Sequence, residues 1–119
     1  MALVDSDDAI GFGFAHAQAS LIGDVPAKIT GVGTTQTGAA VLTSRGSELN
    51  PGASATAFVL PSNAKIFAPF MVNNQQSTTA LVFVPSGHTL NSVANASVSV
   101  AQYASAIIWQ YKPKNWTYK

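Results

Sequence analysis

Between residues 55 and 111 the chain reads ATAFVLPSNAKIFAPFMVNNQQSTTALVFVPSGHTLNSVANASVSVAQYASAIIWQY: short apolar runs, each stopped by Pro, Asn, Ser or Gly. Runs of this length are too short for helices and right for strands, and a turn signal about every eight to twelve residues marks an all-β domain. The same stretch contains no carboxylate. Acid/base catalysis by paired carboxyl groups is therefore not expected of it.

The remaining strands follow from the same punctuation. Residues 28–32 and 38–43 are short candidates, and residues 44–54 (SRGSELNPGAS) read as a long turn around Asn50-Pro51-Gly52. Strands are predicted at 55–60, 65–73, 79–84, 88–90, 97–103 and 104–111. Pro69 marks an edge or a bulge, because it cannot donate to a ladder. The nearly continuous apolar run 79–84 suits a strand covered on both faces. Trp109 is expected in the core. The sum is about seven to nine short strands, more than one flat sheet of this length would use. A small antiparallel β-sandwich or barrel is the expected fold.

Residues 9–20 (AIGFGFAHAQAS) alternate strictly: Ile10, Phe12 and Phe14 share one face, and Gly or Ala fills the other. A segment with aromatics on one side and small residues on the other suits an extended arm laid on a partner. Residues 21–27 (LIGDVPA) read as a hinge. The division is then an arm and hinge over 1–27 and a β-domain over 28–119.

Composition bears on what such a domain does. Of 119 residues, 9% are charged, against about 25% in an ordinary soluble domain. Surfaces this poor in charge do little to keep copies apart, so burial in an assembly is expected. The net charge is +1, and only Lys112, Lys114 and Lys119 cluster, so nucleic acid is not an expected partner. There is no cysteine, hence no disulfide framework. No apolar run approaches the roughly 18 residues of a membrane span. The start, MALVDSDDAI, carries acids where a signal peptide carries basic residues, so cytoplasmic synthesis without signal-directed secretion is the expectation.

The candidate chemistry is sparse. Asp5, Asp7 and Asp8 suggest calcium, but a loop starting at Asp5 has His16 at position 12, where the bidentate Glu belongs. Gly31 and Gly33 lack the third Gly of a dinucleotide fingerprint. His16 and His88 are far apart in sequence, and each reads as a surface or interface residue. No catalytic residue, metal or cofactor is expected. Trp116 and Tyr118 are candidate ligand or interface aromatics; as exposed rings they would stack on sugars.

From Gly33 onward the spacing resembles small virion structural proteins of tailed bacteriophages. The pieces are Gly33-Thr34-Thr35-Gln36, Leu60-Pro61, Val72-Asn73-Asn74, Val84-Pro85-Ser86-Gly87, Asn91, the strand 97–101 and Trp116. The resemblance spans about residues 31–118 and leaves out residues 1–27. It implies a non-enzymatic role in the virion. The first expectation is a capsid decoration (cement) protein, trimeric, bound to the major capsid protein on the outer lattice. Ile10, Phe12 and Phe14 would dock or exchange between subunits. The alternative is a carbohydrate-binding or collar module of a tail fibre or spike.

Overall fold

The structure is a computed structural model and describes residues 27–119. Ile10, Phe12 and Phe14, and all of the arm and hinge but Ala27, lie outside the described residues. Eleven strands are present: β1 (Ala27–Thr30), β2 (Ala40–Val41), β3 (Gly46–Asn50), β4 (Ala57–Val59), β5 (Phe70–Asn74), β6 (Ala80–Phe83), β7 (Thr89–Leu90), β8 (Val93–Ala94), β9 (Ser97–Val100), β10 (Ala104–Lys112) and β11 (Asn115–Tyr118). Among the described residues there is no helix, and so none long and apolar enough to cross a membrane.

The strands form two sheets, ordered β1-β3-β5-β10-β11-β7-β8 and β2-β4-β6-β9. The all-β expectation holds. The antiparallel sandwich or barrel does not describe the first half. Strands β1 to β6 alternate between the two sheets, and each of β1 to β4 pairs parallel with the strand one coil later. Ala27 sits beside Ser47 and Gly46 beside Met71 in one sheet, Ala40 beside Phe58 and Ala57 beside Leu81 in the other. This is solenoid-like stacking, with roughly 18 to 25 residues per coil. The last strands close the stack with antiparallel pairs, β9 on β6 and β10 on β5, and then β11 on β10.

The core lies between the sheets, and strict alternation fills it. Phe70 and Val72 point inward from β5, and Ala106, Ile108 and Gln110 from β10. Val82, Val98 and Val100 meet them from the second sheet, with Phe58 and Leu60. Full burial of one such side chain stabilises by about 1.5–3 kcal/mol. Strand β6 is central but covered on one face only: Ala80 and Val82 are buried, Leu81 and Phe83 half-buried. Trp109 belongs to the outward face of β10 with Ile107 and Tyr111, and it is half-buried instead of core.

Three strands were not expected. β3 replaces a predicted turn, with Ser47 and Leu49 facing inward between β1 and β5. β8 pairs with β7 across a two-residue turn, Asn91-Ser92, both at positive φ as a tight twisted hairpin requires. β11 forms beyond residue 111, where the last predicted strand ends. Conversely, the strand predicted over 65–73 begins only at Phe70; Ile66 and Phe67 are exposed on a loop.

Two residues fix how the coils stack. Gly31 lies against the Gly52–Ala55 turn of the next coil, and a Cβ there would collide with the carbonyl oxygen of Ala55. Asn74 is completely buried and joins the sheets. Its Nδ2 donates to the carbonyls of Thr78 (2.8 Å) and Val100 (2.9 Å), and its Oδ1 accepts from the Gln76 amide (2.8 Å).

Gly31→Ala should force backbone apart and cost about 1–3 kcal/mol, measured by denaturant unfolding. Asn74→Ala should cost about 1–3 kcal/mol, because the Val100 carbonyl loses its partner in the interior and the part-buried Thr78 carbonyl and Gln76 amide lose theirs. A loss under about 0.5 kcal/mol in either variant would contradict these contacts.

Candidate assembly surfaces and the buried histidine

Among the described residues the first coil ends the stack. Both of its strands, β1 and β2, are edge strands, each paired on one side only among the described residues. Val32 and Val41, each 52% exposed, border this end. An unpaired strand edge presents a row of backbone donors and acceptors and is a template for another chain.

A groove of about 670 Å³ runs from this end around the corner of the coil. The connections 42–45 and 61–69 form it, with Val41, Pro61, Ala64 and Ala68 as apolar walls. Among the described residues its charged lining residues are Arg45 and Lys65. Beside it the loop carries Ile66 and Phe67 outward. Phe67 is 66% exposed at φ 62°, a conformation uncommon for an aromatic residue. The position is held from the backbone: the Phe67 amide donates to the Gln110 carbonyl (2.7 Å), and the Gln110 Nε2 donates to the Ala64 carbonyl (2.9 Å).

A second groove, about 500 Å³, lies on the outer face of the larger sheet. Met71 and Ile107, partners in register, form its apolar floor. Asn73 donates to Ser105 (2.8 Å) and accepts from Gln75 (2.8 Å) along one side. Glu48 and Lys119 also line it, and Glu48 lies 3.9 Å from Lys28 in an exposed ion pair.

The two candidate aromatics part company. Tyr118 is 44% exposed at the end of β11. Trp116 is fully buried, packed on Phe70 with ring centroids 6.2 Å apart, and cannot meet a ligand. Its register partner is Gln110, whose side chain also points inward. His88 is likewise buried instead of on a surface, and the Trp116 indole N–H donates to its Nδ1 at 3.0 Å. Because an indole only donates, Nδ1 is the bare nitrogen and the ring proton is on Nε2. Burial, and then the Lys114 ammonium, hold the His88 pKa below the ordinary 6.5. Among the described residues no three His, Asp or Glu side chains come together as a metal site would need. The calcium-like acids Asp5, Asp7 and Asp8 lie outside those residues.

Neither groove was legible in the sequence. Each is built from residues far apart in the chain, and the surface signal, two cations on separate connections, is too sparse to notice.

The neutral His88 gives stability a pH dependence with a definite sign. Its folded pKa lies below its unfolded value, so the unfolded chain binds more protons as the pH drops below about 6.5. The stabilisation is complete above that pH, declines as the pH falls through it, and stops declining below the folded pKa. The melting temperature of the parent should fall over this window more than that of His88→Gln, measured by calorimetry. Parallel curves would remove His88 as the cause.

Comparison with protein-family models, with curated proteins and with solved structures returned no match.

Proposed function

We propose that the protein is a structural component built into a larger protein lattice, and specifically a decoration (cement) protein on the outer capsid of a tailed bacteriophage. The observation that carries the reading is the end of the stack that is open among the described residues. Two edge strands from two sheets stand at one end, bordered by exposed valines and continuous with the corner groove through Val41. Such an end suits addition of a strand from a neighbour, where backbone hydrogen bonds give affinity and side-chain pockets give register. The sparse charge of the chain agrees with a surface meant to be covered.

The resemblance to small virion proteins supports the class of protein through its placement. Several of its pieces are internal ties. Gln36 donates from Nε2 to the Val84 carbonyl (2.6 Å) across the stack, Asn74 joins the sheets, and Trp116 is clamped to His88. The shared pattern is then a pattern of scaffold, consistent with a mechanical role and no catalytic residue. The proposed partner is the major capsid protein, with the decoration protein as a trimer whose closed symmetry matches a three-fold lattice position. Ile10, Phe12 and Phe14 are the proposed arm residues that dock or exchange.

A tail-fibre module that binds carbohydrate is the second reading. Exposed Tyr118 and the neutral amides beside the Met71–Ile107 groove favour it; burial of Trp116 removes the other ring. Binding on a glycan array that is lost in Tyr118→Ala would select it over the first.

For the first reading, deletion of residues 1–20 should abolish binding to empty capsids of the phage that encodes the protein, with the circular dichroism spectrum of the domain unchanged. Val41→Lys should weaken the same binding at least tenfold, since a charge on an edge strand blocks pairing. Full decoration by both variants, read by co-sedimentation, would contradict the proposal.

A further inference from the structure

An antiparallel sheet with one wet face alternates apolar residues inward and polar residues outward. The centre of the larger sheet does not. On β10, Ala106, Ile108 and Gln110 are buried, and Ile107, Trp109 and Tyr111 alternate with them on the outer side. Met71, the β5 partner of Ile107, also points outward. A strand that is apolar on both sides is the pattern of one covered on both faces. Among the described residues the outer face is open at this point: Met71 is 46% exposed and Ile107 39%.

The residues around this floor stand in a definite order. Gly46, Met71, Ile107 and Lys119 form one row across the sheet. Gly46 pairs with Met71, Met71 with Ile107, and Ile107 exchanges two backbone hydrogen bonds with Lys119 (3.0 and 2.9 Å). Glu48 is two residues beyond Gly46 on the same face of β3. The groove therefore carries a carboxylate on one flank and an ammonium on the other, on chain segments three strand spacings or about 14 Å apart. Such a patch is complementary to itself. A two-fold axis along the strands, between β5 and β10, lays β5 of one copy over β10 of the other. Met71 then meets Ile107 of the second copy, and Glu48 of each copy faces Lys119 of the other. Sheets packed face to face lie about 10 Å apart, a gap these side chains span from both sides. A foreign partner would need to supply this order of charges separately; a second copy supplies it by symmetry.

We propose that the outer face of the larger sheet is a two-fold interface between copies of this chain, with Met71 and Ile107 as its apolar centre and Glu48–Lys119 ion pairs setting its register. The apolar centre supplies affinity. The ion pairs lie at the rim, where exposed pairs add little affinity but orient the partners. Glu48 is available for this role because its own-chain pair with Lys28 is long, 3.9 Å, and exposed. The contact goes beyond the lattice reading: it uses a different face from the open end and requires no capsid. Where the open end also builds a trimer, the two-fold contact doubles that trimer.

The test is sedimentation equilibrium of the full-length protein over a dilution series. The parent should show a reversible species with an even number of chains. Ile107→Lys should raise the dissociation constant of that species at least tenfold, since the new charge would be buried in the apolar centre. Its circular dichroism spectrum should match the parent's, because the side chain is outside the core. A second set of variants leaves the apolar centre untouched. Glu48→Lys and Lys119→Glu should each weaken association several-fold, and the two together should restore it. A parent that does not associate, a mass that Ile107→Lys leaves unchanged, or a double variant no better than the single ones would overturn the two-fold contact. None of these readings involves capsids, so failure here is distinct from failure of the lattice reading.

Discussion

The parallel pairing of β3 between β1 and β5 is the contact on which the remaining structure depends. It sets Leu49 and Ser47 inward against the second sheet and places each corner over the corner of the next coil. At those corners the backbone continues the ladder: the Val32 amide donates to the Ala57 carbonyl (3.2 Å), and the Leu42 amide to the Val59 carbonyl (2.9 Å). With backbone groups satisfied along the stack, the interior can be almost wholly apolar. The polar side chains that do enter it are fixed by partners. Asn74 and Gln110 each satisfy backbone groups of other segments, and His88 takes the indole proton of Trp116. An unpartnered polar group in such an interior would cost more than any of these bonds contributes.

Among the described residues the stack is finished at one end and open at the other. Strands β9 and β10 turn antiparallel to β6 and β5, and β11, antiparallel to β10 and parallel to β7, brings the chain back over the core, with Trp116 as its largest fully buried side chain. The first coil has no such closure among the described residues. Repeat architectures need a polar cap at each end to stay apart in solution. The open coil, the scarcity of charge and the basic groove at the same corner therefore bear on one question, which is what covers this end. A neighbouring chain in a lattice is the proposed answer.

Much of the strand content could be read from period 2 and from turn residues. The buried face of β10 follows from Ala106, Ile108 and Gln110 alternating with Ile107 and Trp109. What period 2 could not convey is which strand lies beside which. Parallel and antiparallel neighbours demand the same alternation, so a run of short strands reads equally well as an antiparallel sandwich. β3 was missed because GSELN holds one large apolar residue; its strand geometry comes from β1 and β5 on either side. Trp116 reads as a candidate ligand aromatic because the partner that accounts for its burial, His88, is 28 residues away. Tyr118 and Trp116 sit two residues apart on β11, yet one is exposed and the other buried, since the core ends between them.

The most direct test of this account is the set of interstrand nuclear Overhauser effects around β3 in the full-length protein. The stacked coil predicts parallel contacts, Ser47 with both Ala27 and Val72, and Glu48 with both Lys28 and Asn73. Finding instead that residues 44–54 form a turn, with β4 pairing antiparallel to β5, would contradict the stack and with it the open end on which the functional proposal rests.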